Sequence, residues 1–595
     1  MSTVILTGLP VPGSPLEDEL RSLGFDVRQV PAPEDTAAAL AGVPAAQRVA
    51  VVDSGFVGHP HALRLALTDP RFDACAVTGA FAVQAGARAA LERAAALSPD
   101  GEGPYADRLA AAVEASGTPV QRPELGTLVA AVPSGEEERA EALAAVAAVD
   151  DEAVRLRSAV KSRDGFFTTF CISPYSRYIA RWCARRGLTP NQVTTASLLT
   201  ALLAAGCAAT GERWGYVVAG VLLLFSFVLD CTDGQLARYS LQYSTMGAWL
   251  DATFDRVKEY SFYAGLALGA ARDGDDVWAL ALGAMILMTC RHVVDFSFNE
   301  ANHDATANTS PTAALSDRLD SVGWTVWVRR MIILPIGERW AMIAVLTATT
   351  TPRIVFYALL VGCAFGALYT TAGRVLRSVT RRAGGSRGST DRAAQALADL
   401  ADSGPIAELV ARAASRPTPL PRLPFAVLGA ALVVGAAWYE PFGSTTVICA
   451  ALLYALLSGY AVGIPPRGPL DWLLPPLFRA AEYTTVLVLA VKADVPGALP
   501  AAFGLVAAVA YHHYDTVYRI RGGSGAPPRW LVRTTGGHEG RVLLAVVLAA
   551  VLAREAYPVA LTAVAVFVAL VVLVESIRFW VSAGAPAVHD EGEPA

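Results

Sequence analysis

The sequence predicts a multi-domain protein: an N-terminal cytosolic α/β domain followed by all-α polytopic membrane domains with about six plus six transmembrane helices. Hydrophobic residues make up 54% of the 595 residues, and the mean hydropathy is +0.41, so much of the chain does not form a soluble globule. Long apolar runs begin only near residue 190. Before them, short apolar runs alternate with Ala-rich stretches, which is typical of an α/β domain.

Residues 1–150 are predicted to form this α/β domain around a parallel sheet. The strand candidates are TVILTGL, RVAVVDSG, ACAVTGA and GTLVAAVP. The loop GLPVPGSPLEDEL after the first strand resembles, in position, the Gly-rich loop of sugar-phosphate nucleotidyltransferases, but the first arginine of the chain is Arg21, too late to bind phosphates there. Asp53 is a candidate metal ligand or a simple turn former. We expect a degenerate, nucleotidyltransferase-like domain with a regulatory or docking role.

Residues 151–188 are predicted to form a linker and a juxtamembrane amphipathic helix. Basic and aromatic residues alternate in ISPYSRYIARWCARRG, namely Tyr175, Arg177, Tyr178, Arg181, Trp182, Arg185 and Arg186. Such a helix is expected to lie flat on the membrane, with its arginines facing anionic lipid.

Two membrane blocks are predicted, at 189–382 and 423–582, separated by a linker at 383–422 and followed by a disordered tail at 583–595. Each block contains six apolar runs, near 193–210, 213–231, 250–271, 277–298, 339–351 and 353–375, and near 423–439, 444–463, 475–492, 498–515, 541–553 and 557–580. Arginines cluster in the loops on one side, which the positive-inside rule assigns to the cytosol. We therefore expect a multi-pass protein of the cell membrane. The net charge of −5 gives no signal for a nucleic-acid partner.

A cluster of carboxylates interrupts the first block in the stretch DCTDGQLARYSLQYSTMGAWLDATFD. The aspartates are Asp230, Asp233, Asp251 and Asp255. Steps of three or four residues place each pair on one helical face, and two helices joined by a short loop can direct both pairs at one point. Clustered carboxylates need cations, and oxygen ligands suit Mg²⁺, Mn²⁺ or Ca²⁺. The alternative is a set of carboxylates paired with arginine at a helix turn.

Two small residues and one arginine in the same stretch point to a phosphate ester as the substrate. Gly234 and Gly247 have no side chain, so a ligand can approach the backbone there. Arg238 offers a fork of donors to a phosphate group.

The complete pattern, D-x2-D-G-x2-A-R-x8-G-x3-D-x3-D, resembles the signature of the CDP-alcohol phosphotransferases, also called CDP-alcohol phosphatidyltransferases. The resemblance covers only the first membrane block. It implies transfer of a substituted phosphate from a CDP-alcohol to an acceptor alcohol with release of CMP. Two Mg²⁺ or Mn²⁺ ions are expected at the four aspartates, with Asp255 also the general base. The residues expected to contact the nucleotide are Asn191, Thr194, Gly234, Ala237, Arg238 and Gly247.

Donor and acceptor stay open at this point. The donor is CDP-diacylglycerol or a CDP-polyol, and an inositol phosphate is the favoured acceptor over glycerol phosphate. Arg329, Arg330 and Arg339 are predicted to hold an acceptor phosphate. The alternative function is a non-enzymatic membrane scaffold or regulator that keeps a CDP-alcohol-binding site.

The second block is predicted to be a diverged, non-catalytic repeat of the first. Arg479-Ala-Ala-Glu482-Tyr483 repeats Arg256-Val-Lys-Glu259-Tyr260, but the carboxylate pattern is missing and only Asp471 stands in its place. The resembled family commonly forms homodimers through its membrane helices, so we expect a homodimer or an intramolecular pseudo-dimer. Chance similarity among apolar helices is the alternative.

Overall fold

The architecture is taken from a computed structural model of the protein. The residues that it describes are 2–45, 47–69, 72–97, 101–161, 164–302, 333–383, 391–413, 422–463 and 465–582. Two of the predicted acceptor arginines, Arg329 and Arg330, and the predicted tail at 583–595 lie outside these ranges.

The N-terminal domain contains a five-stranded sheet with strand order β2-β1-β3-β6-β5 and a two-stranded sheet of β4 and β7. The strands are β1 Ser2–Thr7, β2 Phe25–Val30, β3 Val49–Asp53, β4 Val57–Gly58, β5 Ala74–Val77, β6 Ala80–Val83 and β7 Ala130–Ala131. The helices are α1 Leu16–Ser22, α2 Thr36–Ala41, α3 Pro60–Leu67, α4 Arg88–Leu97, α5 Tyr105–Ala115, α6 Glu136–Ala147 and α7 Asp151–Ser158.

The prediction of a parallel sheet is wrong for one of the five strands, β6, and therefore for two of the four strand pairings. β1 pairs in parallel with β2 and β3, as predicted, but β6 runs antiparallel to both β3 and β5. The physical reason is a two-residue turn between β5 and β6, in which Gly79 has φ +75°. Such a turn joins neighbouring strands as a hairpin, which forces the antiparallel direction.

The amphipathic helix α8 spans Ser173–Arg185. Its aromatic residues are exposed, and Trp182 has 51% of its surface accessible. Two of its arginines, however, pair with α7: Arg181 and Arg185 lie 2.6 and 2.9 Å from the carboxylate of Glu152. These two side chains therefore contact a protein carboxylate, although Arg185 is still 63% exposed, and the expectation that the arginines face anionic lipid stays a prediction.

Each of the six apolar runs in the first block lies on a separate helix. The helices are α9 Pro190–Ala208, α10 Arg213–Ser240, α11 Thr245–Arg272, α12 Trp278–Ala301, α13 Ile336–Thr349 and α14 Pro352–Ala383. At one end of the block, polar contacts link the connections between helices. Arg272 donates to the carbonyl of Ala209 at 2.6 Å, and Arg353 pairs with Asp275. Asp230 lies 17 residues beyond Arg213 on α10, about 26 Å away along the helix. The carboxylates are therefore at the opposite end of the block.

The second block is also helical throughout its apolar runs. Its helices are α15 Asp391–Leu400, α16 Pro405–Ala413, α17 Arg422–Tyr439, α18 Thr445–Val462, α19 Leu474–Ala493, α20 Ala498–Arg521, α21 Arg529–Thr535, α22 Gly537–Val551 and α23 Tyr557–Ser582. Two of them, α15 and α16, fall within the predicted linker and pack against the membrane helices: α15 on α12 and α20, and α16 on α18 and α22.

Among the described residues, seven helices are long and apolar enough to cross a membrane. The segments are Arg213–Ser240, Trp278–Ala301, Pro352–Thr380, Arg422–Tyr439, Thr445–Val462, Asp471–Ala493 and Arg554–Ser582. Apolar side chains on these helices point away from the protein; Leu368 of α14, for example, is 72% exposed. The count of six plus six stays a prediction, since α13 has only 14 residues, about 21 Å, against about 30 Å of hydrocarbon.

The two membrane blocks pack directly against each other through α11 and α12 of the first and α19 and α20 of the second. Tyr514 of α20 is central to this contact. Its hydroxyl accepts a hydrogen bond from Arg256 at 3.4 Å and also bonds His292. Trp249 of α11 stacks on Trp580 of α23 with ring centroids 6.2 Å apart. The second block thus contacts the residue that follows Asp255.

Candidate active site

The candidate site is built where α10 ends and α11 begins. Leu241 ends α10 in the left-handed conformation, with φ 51°, and the backbone N–H of Gln242 donates to the carbonyl of Ala237 at 3.0 Å. Ser244 caps α11, because its hydroxyl accepts from the backbone N–H of Gly247 at 2.9 Å. This short connection turns the chain back, so Asp251 on α11 meets Asp230 and Asp233 on α10.

Three of the four predicted carboxylates converge on one point. One oxygen from each of Asp230, Asp233 and Asp251 lies within 4.8 Å of the other two. Asp233 is 4% exposed, and its Oδ2 atom has no hydrogen-bond partner among the described residues. Ligand oxygens on a Mg²⁺ ion stand roughly 3–4 Å apart, since each bond is about 2.1 Å. The donor set and its unsatisfied oxygen therefore fit a hard divalent cation.

The fourth carboxylate, Asp255, is held by a lysine. Lys258 Nζ lies 2.8 Å from Asp255 Oδ1, forms an ion pair with Asp230 and donates to Ser197 at 3.3 Å. Lys258 is 2% exposed. Sequence reasoning missed this residue, although it stands three positions after Asp255 on the same helical face, the spacing at which opposite charges pair.

The residues expected to contact a nucleotide lie beside the carboxylates. A Cβ atom on Gly247 would be 2.8 Å from Asn191 Oδ1, so these two residues are in contact distance. A Cβ atom on Gly234 would lie 3.5 Å from the Arg238 guanidinium, whose Nε donates to the carbonyl of Ala159 at 2.6 Å. The Thr194 hydroxyl donates to the carbonyl of Pro190 at 3.0 Å. Gly247 thus lies next to Asn191, and Gly234 lies next to Arg238, whereas nucleotide binding by these residues stays a prediction.

Sequence comparison identifies the segment that carries this geometry. Residues 187–368 match the model of the family described as CDP-alcohol phosphatidyltransferase. This segment is a CDP-alcohol phosphatidyltransferase domain. Residues 391–595 match a second family, described as of unknown function (DUF5941).

Three relatives share the transferase domain. The chain is 33% identical over 115 residues to archaetidylinositol phosphate synthase of Pyrococcus horikoshii, covering 19% of this chain and 58% of the relative. It is 34% identical over 134 residues to phosphatidylinositol phosphate synthase of Streptomyces avermitilis, covering 21% and 51%. It is 43% identical over 84 residues to the bifunctional IPC transferase and DIPP synthase of Rubrobacter xylanophilus, covering 14% and 18%. The chain thus spans about half the length of the first two relatives and less of the third.

Polar contacts fix the helices of the transferase domain around the site. The hydroxyls of Ser197 on α9 and Ser226 on α10 lie 3.1 Å apart, and each donates to the other's carbonyl. Gln235 on α10 accepts from Ser176 of α8 at 2.8 Å. The surface helix α8 is therefore attached two residues from Asp233.

Arg339 is the one predicted acceptor-binding arginine that lies within the described residues, and it is buried and paired with Glu259. It is 3% exposed, and its Nη2 lies 3.5 Å from Glu259, which also pairs with Arg256 at 3.0 Å. The Nε atom of Arg339 has no hydrogen-bond partner among the described residues, and binding of an acceptor phosphate there stays a prediction.

The second block contains the same charge arrangement at the matched positions. Arg479 lies 2.7 Å from Glu482, which lies 2.6 Å from Arg541. These contacts reproduce the Arg256, Glu259 and Arg339 cluster of the transferase domain. One acid is added: Asp402 lies 2.7 Å from both arginines of the second block.

An aromatic ring takes the place of Asp255 in the second block. Phe478, which stands at the Asp255 position when Arg479 is aligned with Arg256, is fully buried. It stacks on His538 with centroids 4.4 Å apart, and His538 bonds the hydroxyl of Tyr454 at 2.8 Å. This part of the second block is a packed core.

In the N-terminal domain, Asp53 serves as a helix cap. Its two carboxylate oxygens accept from the backbone N–H groups of Tyr105 and Ala106, at 3.2 and 3.1 Å, and Thr7 is a further partner. Burial raises the pKa of Asp53 despite these bonds. Its oxygens are thus already used by backbone N–H groups at the start of α5.

Proposed function

We propose that the protein transfers a phosphate-linked group from a CDP-alcohol to an acceptor alcohol and releases CMP. The observation that carries this proposal is the convergence of Asp230, Asp233 and Asp251 inside a transferase-family domain. The three carboxylate oxygens lie within 4.8 Å of one another, as the binding of a hard cation requires. The signature around them is intact, as the binding of a diphosphate requires. The site is proposed to face the cytosol, on the arginine-rich side of the cell membrane.

Transfer forms a bond between the acceptor oxygen and the phosphorus that carries the donor alcohol. It breaks the bond from that phosphorus to the bridging oxygen of the diphosphate, so CMP leaves and the acceptor hydroxyl loses a proton. A divalent cation held by Asp230, Asp233 and Asp251 supplies charge stabilisation for the diphosphate. Asp255 is proposed to take the proton from the acceptor hydroxyl. Asn191 and the backbone at Gly247 are proposed to position the nucleotide.

An inositol phosphate is the proposed acceptor, and CDP-diacylglycerol or a CDP-polyol the proposed donor. The names of the relatives support this choice, since two of them are synthases of inositol phosphate lipids. The apolar outer surface of the membrane helices supports a lipid donor, because such a donor is held in the same hydrocarbon layer.

The test incubates the purified protein and Mg²⁺ with labelled CDP-diacylglycerol or CDP-inositol and a panel of alcohols, and measures CMP. The wild-type protein is expected to release CMP with an inositol phosphate. Asp251→Asn should lower the rate by orders of magnitude, because it removes the charge of one ligand. Asp275→Asn is the matched control, since Asp275 pairs with Arg353 at the other end of the block.

Two outcomes would contradict the proposal. Full activity in EDTA or in Asp251→Asn would remove the role of the cation. Binding of a CDP-alcohol with no CMP release for any acceptor would favour the scaffold alternative.

We infer that the second membrane block is a non-catalytic copy that replaces the partner subunit of a homodimer within one chain. The repeated Arg, Glu and Arg contacts and the direct packing of α11 and α12 on α19 and α20 support this. The buried Phe478 and His538 leave no room for a second cation site at the equivalent place. Titration with CDP should give one site per chain, and two sites would contradict the inference.

Residues 1–150 are proposed to be dispensable for transfer, because the loop GLPVPGSPLEDEL has no basic residue and Asp53 is a helix cap. A chain that lacks these residues should still release CMP from a supplied CDP-alcohol. Formation of a CDP-alcohol from CTP by the full chain, and its loss on deletion, would show that this domain is catalytic.

A further inference from the structure

A buried ammonium group lies between two carboxylates of the candidate site. Lys258 Nζ contacts Asp255 at 2.8 Å, pairs with Asp230 and donates to Ser197. Two of these contacts are hydrogen bonds, to Asp230 and Ser197, and the contact with Asp255 is an ion pair. The amine is therefore fully used by the site and not directed toward solvent.

We propose that Lys258 occupies the place of a second divalent cation, so that the site binds a single ion through Asp230, Asp233 and Asp251. The inference rests on the proposed function, since it deepens the description of the same carboxylate site. It replaces our expectation of two ions by one ion and one fixed ammonium.

Geometry supports a division of the four carboxylates into two groups. Asp233 and Asp251 share one point with Asp230, and Asp233 offers an unsatisfied oxygen there. Asp255 is absent from that group of converging ligand atoms and contacts the ammonium instead. Asp230 belongs to both groups, so it lies between the ion position and Lys258.

The chemistry of a lysine side chain excludes a second ion at the same place. A protonated amine has no lone pair, so it cannot serve as a ligand, and it repels a nearby cation. A compact ammonium carries the kind of localised charge that balances two carboxylates. Lys258 is 2% exposed, so it leaves this position only by losing all of its partners.

A purely structural ion pair would not change the number of bound ions, and this difference makes the role of Lys258 testable. The experiment strips the full-length protein of metal with EDTA and equilibrates it with Mn²⁺ and CDP. Bound manganese per chain is then measured by elemental analysis, and electron paramagnetic resonance distinguishes isolated from coupled Mn²⁺. Neither measurement requires turnover.

The wild-type protein is expected to bind one Mn²⁺ with the spectrum of an isolated ion. Lys258→Met removes the ammonium at similar volume and should bind two ions with a coupled spectrum, whereas Lys258→Arg should keep one. Lys492→Met is the matched control, because Lys492 donates to the carbonyl of Glu440 in the second block, and should also keep one.

Two Mn²⁺ ions in the wild-type protein, or one in a folded Lys258→Met variant, would overturn the inference. If the Lys258→Met variant does not fold, the number of Mn²⁺ ions bound by the wild-type protein still tests the single-ion site. No bound Mn²⁺ in the wild type would overturn the cation site of the proposed function as well. A count of two that falls with Asp251→Asn would leave the proposed function intact and refute only the single-ion site.

Discussion

The buried charge network of the second block provides the sharpest test of how this half of the chain is held together. Asp402 and Glu482 face Arg479 and Arg541, with four contacts of 2.6–2.7 Å. All four side chains are at most 7% exposed. Two acids and two bases therefore neutralise each other inside the protein.

Glu482→Gln keeps the shape of the side chain and leaves one positive charge uncompensated. Breaking a buried pair in this way costs about 3–5 kcal/mol. For a block of this size, the loss corresponds to a fall in melting temperature of roughly 6–20 °C. Adding Arg541→Met restores the balance of one acid and one base, so the double variant should lose less stability than Glu482→Gln alone.

Melting is measured in detergent as the loss of helical circular dichroism on heating, because a thiol-reactive probe would label the exposed Cys171 and Cys449 in the folded protein. Arg467→Met is the surface control: Arg467 pairs with Asp391, and both side chains are more than half exposed, so no measurable shift is expected. A Glu482→Gln variant that melts with the wild type would refute the reasoning. A double variant less stable than the single one would refute it as well.

Three further outcomes are expected. Gly247→Ala should weaken CDP binding by about tenfold or more in calorimetry, because the added Cβ would lie 2.8 Å from the Asn191 side chain; Gly206→Ala, with no atom within 4 Å, should not. Burial lowers the pKa of His61 to about 4 from 6.5, so the stability contributed by its neutral ring is present above pH 6.5 and is lost as the pH falls toward 4. The N-terminal domain should lose about 2 kcal/mol by pH 5, measured by amide exchange corrected for intrinsic rates, and His61→Leu should remove most of this loss, since His59, whose pKa is also lowered by burial, is kept. Arg64→Ala removes a bond to the carbonyl at the end of α10, so it should expose the segment between the domains to protease without changing CMP release.

The helices of both membrane blocks were predictable because each apolar run is longer than ten residues and is bounded by charged or turn-forming residues. The hairpin of β5 and β6 was not, since ACAVTGAFAV contains one apolar run on each side of a short turn, and composition alone does not give strand direction. Parallel pairing is the default for alternating strands and helices. Only the turn at Gly79 specifies otherwise.

The carboxylate site was predictable to the extent that its chemistry is local. Asp230 and Asp233, or Asp251 and Asp255, share a helical face by spacing alone. Lys258 also follows a local spacing, but its contact with Asp230 depends on how α11 packs on α10. Asp402 could not be predicted, because its partners are 77 and 139 residues away along the chain.

The two blocks differ in which charges they keep, and electrostatics explains the difference. In a low-dielectric interior, a carboxylate cluster is stable only while a cation neutralises it. A copy that no longer binds an ion is therefore stabilised when the cluster is replaced by apolar groups, as at Phe478. The Arg479, Glu482 and Arg541 contacts need no ligand, because Asp402 completes their neutrality, so nothing selects for their loss. On this argument, reintroducing single aspartates into the second block should destabilise it without creating a second cation site.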